Sequence, residues 1–148
     1  MAVVVGSDHG GFALKEVLSA YLKEKGLEVI DVGCYDTASV DYPDIAEKAC
    51  REVTEGRCDW GILVCGTGIG ISIAANKVKG IRCALVSEAY SAEMTKRHNN
   101  ANMIALGGRV TGPDLAKNIV DAYINAEFEG GRHEMRVNKI SALEGSCI

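Results

Sequence analysis

ILVCGTGIGISIAANK, residues 62–77, contains the decisive local pattern. An uninterrupted apolar run ends in Cys65, and glycines follow at every second position, Gly66, Gly68 and Gly70. The run suits a strand buried on both faces. The segment after the glycines, GIGISIAANKVKG, reads as a loop passing into a helix. Strand, glycine loop and helix make a βα unit, and the same alternation extends in both directions from it.

Upstream, AVVVGS is a short apolar strand closed by Gly6, and the helix GFALKEVLSAYLKEKG follows. Its apolar residues Phe12, Leu14, Val17, Leu18, Tyr21 and Leu22 recur with helical periodicity, and Gly26 stops it. LEVIDVG is a second strand, and YPDIAEKACREVTEGR is a helix with Pro43 near its start and Gly56 at its end. Downstream come the strand IRCALVS, the helix AYSAEMTKRHNN, the strand ANMIALG, the helix GPDLAKNIVDAYINAEF and a basic tail, GGRHEMRVNKISALEGSCI.

The expected fold is therefore α/β: a three-layer α/β/α sandwich around a five-stranded parallel sheet. Short connections and right-handed crossovers suggest the flavodoxin-like order 2-1-3-4-5. In that order the switch point lies between the first and third strands, so GSDHGG and CGTGIG should meet at the carboxyl edge of the sheet. The 148 residues form one expected domain, 1–148, with a C-terminal helical tail from about 131 to 148.

Composition narrows the function. The formal net charge of -4 disfavours nucleic acid as a partner. No apolar run approaches the roughly 18 residues of a membrane span, and the N-terminus lacks the pattern of a signal peptide. The six cysteines, at 34, 50, 58, 65, 83 and 147, form no C-x-x-C pair. Five of them read as small buried hydrophobes of a reducing cytoplasm. His9, His98 and His133 are far apart in sequence, so no metal site is expected.

The glycine loop admits several readings. A dinucleotide site needs G-x-G-x-x-G in the first βα turn, which Gly6, Gly10 and Gly11 do not supply. A nucleotide P-loop would end in G-K-[ST], and a thiol phosphatase would place arginine six residues after Cys65, where Ile71 stands. The remaining ligand reading is a base beside an anion hole. Successive backbone N–H groups opening a helix attract negative charge and favour a neighbouring thiolate. Cys65 could then abstract a proton α to a carbonyl, with the loop holding the oxyanion. A tight turn that merely follows a buried cysteine remains the alternative.

Asp8 and His9 close the first strand; Asp8 could contact a ligand or simply cap the next helix. His98, in KRHNNAN, leads into the fifth strand and is expected to face the same edge, unless the cluster is only a solvated helix stop. Arg132 and Arg136, four apart, would share one helical face suited to a phosphate, with Arg109 of LGGRV as a third anion contact.

Together GSDHGGFALK, VDYPD, ILVCGTGIGISIAANK, GIRCALVSEAYSA, RHNNAN, LGGRV and FEGGRHEMRV resemble the sugar-phosphate isomerase family of type B ribose-5-phosphate isomerases and galactose-6-phosphate isomerase subunits. The resemblance covers nearly the whole chain in order. It implies an aldose–ketose isomerase interconverting ribose 5-phosphate and ribulose 5-phosphate through a cis-enediolate, in the pentose phosphate pathway. It also implies no cofactor and no metal, a cytoplasmic location, and a homodimer or tetramer whose active sites are shared between subunits.

By that resemblance Cys65 is the base, and Gly66, Gly68, Ile69 and Gly70 stabilise the enediolate through their backbone with help from Thr67. His98 opens the furanose ring and would come from the partner subunit. Asp8, His9 and Asp41 line the sugar pocket, Asn99 lies near the oxyanion, and Arg132, Arg136 and Arg109 hold the phosphate. One branch of the family has serine in place of the cysteine and a glutamate base where Ile71 stands here, so this chain resembles the cysteine branch. An isomerase of a hexose 6-phosphate, such as allose or galactose 6-phosphate, is the alternative within enzymes. A non-catalytic sugar-phosphate or nucleotide-binding module is the alternative of another class.

Overall fold

A computed structural model describes residues 1–145. In chain order the elements are β1 (Ala2–Ser7), α1 (Phe12–Glu24), β2 (Glu28–Asp31), α2 (Tyr42–Thr54), β3 (Trp60–Cys65), α3 (Ile69–Ala75), β4 (Cys83–Leu85), α4 (Ala89–Asn99), β5 (Met103–Gly107), α5 (Pro113–Ile124) and α6 (Arg132–Leu143). All the strand pairings are parallel. Helices cover both faces, as the sequence alternation requires. Cys147 and the last three positions of the tail, 146–148, lie outside the described residues.

The strand order is 2-1-3-5-4, not 2-1-3-4-5. The physical reason is burial. β5 is MIALG with every residue buried, whereas β4 has three residues and Leu85 is 44% exposed. The strand that is apolar on both faces takes the interior position, and the short half-exposed one becomes the edge. The chain therefore steps from β3 past an empty lane to β4 and returns to fill it with β5. With right-handed crossovers, that reversal moves α4 to the opposite face from α3. Accordingly Ile71 and Ala75 of α3 pack with Ala46 and Ala49 of α2, while Ala92 of α4 packs with Leu18 of α1 and Ile119 of α5.

Helix ends follow the sequence signals. After α1, Gly26 N–H donates to Lys23 O and Leu27 N–H to Leu22 O, the paired bonds of a Schellman stop. Gly26 has φ +84°, a conformation in which a side chain would be strained. The β1–β3 switch point survives the revised order, because α1 and α3 leave their strands toward opposite faces.

Candidate active site

The carboxyl edge of β1, β3 and β5 gathers three loops into contact. A Cβ on Gly10 would lie 3.2 Å from the Gly66 amide nitrogen, and one on Gly108 would lie 2.7 Å from Gly10 O. The two glycine-rich loops therefore meet, as their places beside the switch point demand.

Cys65 ends β3, is 5% exposed, and accepts a hydrogen bond at Sγ from Gly68 N–H at 3.1 Å. Thr67 Oγ1 accepts from Ile69 N–H at 3.2 Å, which leaves its own O–H to donate elsewhere. The amides of Gly66, Thr67, Gly70 and Ile71 have no acceptor among the described residues. They are the orphan donors of a loop that opens a helix, a natural cradle for an oxyanion. Gly68 cannot be replaced without strain: its φ is +79°, and a Cβ would approach the Leu106 carbonyl carbon to 2.8 Å.

Arg109 crosses this loop. Its N–H donates to Gly66 O at 3.0 Å, and its Nη1 lies 3.1 Å from where a Gly66 Cβ would be. Asp8 is buried, and its Oδ1 accepts from Gly10 N–H at 2.9 Å and Gly11 N–H at 3.1 Å. That carboxylate thus shapes the turn into α1, the capping alternative raised by its position. His9 Nδ1 accepts from Val40 N–H at 3.3 Å, which puts the proton of the neutral ring on Nε2. Asp41 precedes α2 with an exposed side chain, and the neighbouring Tyr42 ring lies against Gly70, where a Cβ would meet it at 2.6 Å.

His98, Asn99, Arg132 and Arg136 do not join that edge. α4 runs antiparallel to the strands, so its C-terminus lies at the amino end of β5. Strand register shows the gap: Met103, which follows His98 and Asn99, pairs with Gly61, while Cys65 pairs with Gly107. Four residues of strand are about 13 Å at roughly 3.3 Å per residue. The expectation that His98 faces the glycine loop within one chain is therefore corrected. A residue leading into a strand of a parallel sheet sits at the edge opposite the loops that leave it.

The amino edge has its own cluster. His98 stacks on His133 with ring centroids 4.1 Å apart and planes 6° from parallel. The three histidines are distant in sequence, yet two of them touch. His98 Nε2 is 3.7 Å from Glu129 Oε1, and Arg97 Nη2 is 3.4 Å from Glu129 Oε2. Burial, with His98 and the Arg132 guanidinium nearby, pushes the His133 imidazole below its ordinary range. Arg82 braces the turn after α4: its Nη2 donates to Asn100 O at 2.8 Å and its Nε to Asn99 O at 3.1 Å.

Sequence reasoning passed over Lys15. It is 1% exposed, and its Nζ donates to Asp31 Oδ1 at 2.8 Å, Asp31 Oδ2 at 2.6 Å and Cys34 O at 2.6 Å. The signal was present: Lys15 shares the apolar face of α1 with Leu18 and Leu22, and a lysine there must be paired. It ties α1 to the loop that carries Val40 and Asp41. Of the cysteines, Cys34, Cys50, Cys58, Cys65 and Cys83 are free and buried. Burial pushes the Cys50 thiol up to about 12 and, with the Glu52 carboxylate, the Cys58 thiol up to about 11. No helix of the described residues is long and apolar enough to cross a membrane.

The family model described as Ribose/Galactose Isomerase matches residues 3–140. The chain is 51% identical over 142 residues to "Ribose-5-phosphate isomerase B" of Escherichia coli, covering 96% of this chain and 95% of that one. It is 44% identical over 146 residues to "D-erythrulose-4-phosphate isomerase" of Pectobacterium atrosepticum, covering 97% and 95%. The structure of Clostridium thermocellum ribose-5-phosphate isomerase B superposes with a TM-score of 0.98 at 53% identity, covering 99% of each chain.

Proposed function

The chain belongs to the ribose/galactose isomerase family, and from that premise we propose that it interconverts ribose 5-phosphate and ribulose 5-phosphate at a site completed by a second copy of itself. The observation that carries this reading is the separation of the two polar clusters along the sheet. Groups that act on one sugar must come within about 3 Å of it. Cys65 and His98 of one chain stand at opposite sheet edges. Two chains arranged with the carboxyl edge of one against the amino edge of the other would bring the halves together, reciprocally and with two-fold symmetry.

In this mechanism His98 of the second copy moves a proton at the ring oxygen as the furanose opens. Arg132 and Arg136 of that copy hold the phosphate with Arg109, while His9 donates from Nε2 and Asp41 faces the sugar. Asn99 of the second copy lies near the developing oxyanion. Cys65 thiolate removes the C2 proton. The electron pair forms the C1–C2 double bond, and charge moves onto O1. The amides of Gly66 to Gly70, with the Thr67 hydroxyl, stabilise that charge; one preorganised donor of this kind is worth roughly 10²–10³ in rate. The O2 proton passes to O1, and Cys65 returns its proton to C1. No step calls for a cofactor. The free buried thiols support a reducing, cytoplasmic setting.

Subunit mixing tests the shared site. Cys65→Ala and His98→Ala, each inactive alone, are unfolded together and refolded as a mixture. Random pairing into two-fold dimers gives half the dimers one intact site, so activity should return to about a quarter of wild type. Activity no greater than the sum of the two variants would refute the shared site. The similarity to a tetrulose-phosphate isomerase makes the substrate a second question. A panel of tetrose, pentose and hexose phosphates should show the highest kcat/KM for ribose 5-phosphate.

A further inference from the structure

His98, Glu129 and His133 offer one imidazole nitrogen, one carboxylate oxygen and a second imidazole nitrogen, all within 4.8 Å of one another. His98 Nε2 stands 3.7 Å from Glu129 Oε1. Ligands of a tetrahedral ion with bonds of about 2.0–2.1 Å stand roughly 3.4 Å apart. The donors therefore need to contract by at most about 1.4 Å.

The surroundings favour that contraction. Arg97 binds the other carboxylate oxygen, Oε2, and is itself held by Glu93 at 2.9 Å, so Oε1 is left facing His98. Such a partner orients a ligating carboxylate. Glu129 is anchored as well, its N–H donating to Arg97 O at 3.0 Å. The two rings lie nearly parallel, so holding one ion requires a turn of a ring about its Cβ–Cγ bond, a soft torsion. Arg132 and Arg136 stand close enough to His133 to repel a cation. The Glu129 carboxylate acts on the same ring in the opposite sense and offsets part of that repulsion.

We propose that His98, Glu129 and His133 form a binding site for a divalent transition ion of the Zn²⁺ class, with water completing the coordination. Two nitrogens and one oxygen select Zn²⁺, Ni²⁺ or Co²⁺ over the oxygen-seeking Mg²⁺. A metal there occupies the ring nitrogen that the sugar needs, so the ion inhibits the isomerase; this consequence rests on the proposed role of His98. Zinc would then be a reversible inhibitor that competes with the ring form of the substrate, and the metal-free enzyme is the active form.

The test uses the full-length, metal-free protein and Zn²⁺ titrated against a chromogenic chelator. One ion per chain should bind. His133→Ala and Glu129→Gln should each weaken binding at least about tenfold. Co²⁺ should give a visible spectrum without the near-ultraviolet band of a thiolate ligand. In parallel, Zn²⁺ should inhibit turnover, EDTA should restore it and Mg²⁺ should do nothing. Each variant is compared with its own metal-free rate, and its inhibition constant should rise with its dissociation constant. Unchanged binding in both variants would place the ion elsewhere, a cobalt–thiolate band would place it on a cysteine, and either would overturn the site. Binding that both variants lose, without inhibition of the wild type, upholds the site and removes His98 from the chemistry instead.

Discussion

The two edges of the sheet are built from different materials. The carboxyl edge is mostly backbone: Gly10, Gly66, Gly68 and Gly108 pack main chain on main chain, and Cys65 lies buried beneath. The amino edge is mostly side chain, with His98, Glu129, His133, Arg132 and Arg136 half-exposed or exposed. Backbone donors fixed by packing do not need to reorganise as charge develops, which suits an oxyanion. Long side chains on a helix and a loop suit a group that must be captured and released, such as a phosphate. If this contrast is right, substitutions at the first edge remove rate and stability, and substitutions at the second change binding.

The largest effect should come from Cys65→Ala. Turnover should fall by about 10²–10⁴ or more while ribose 5-phosphate still binds. Exchange of the C2 proton with solvent reads the loss directly, and near-normal exchange would end the assignment of Cys65 as base. Next is Gly68→Ala. A left-handed residue costs about 1–2 kcal/mol, and the Leu106 carbonyl adds a clash. Urea unfolding should show at least that loss, together with a fall in kcat; a variant as stable as wild type would mean that the loop is pliable.

At the amino edge, Arg136→Ala should raise KM about 10- to 100-fold, as the loss of a charge-assisted bond predicts, with kcat little changed. A fall in kcat at constant KM would move Arg136 from binding to chemistry. The smallest effect lies beside the C-terminus of α2. The Arg57 guanidinium holds Glu52 below the usual carboxylate range. A lowered carboxylate contributes stability above its unfolded pKa and loses it as pH falls through the folded value. Arg57→Ala should therefore shift the acid-unfolding midpoint slightly upward, an effect that salt erases. Acid-unfolding midpoints that match wild type at low ionic strength would show the pair to be neutral.

Much of this was legible in one sequence. Strand and helix periods, the glycine stops at Gly26 and Gly56, and the meeting of GSDHGG with CGTGIG all follow from local pattern and parallel-sheet topology. The order of the last two strands was not read, although MIALG against CALVS carried a hint of which one is interior. Lys15 was overlooked because a helical period counts apolar positions and is silent about a charge on the same face. The stack of His98 on His133 had no local signal at all.

Local sequence determined what is decided within a few residues: where the chain extends, coils and turns, and which loop sets a thiol beside backbone donors. Tertiary structure alone decided which ends of those elements face the same way. Helices in a parallel sheet return the chain to its starting edge, so His98 and Cys65, both beside strands, stand on opposite sides of the molecule. Residues 98, 129 and 133 come together there because α4, the loop after α5 and the start of α6 converge, and burial and chain direction fix that convergence rather than any motif.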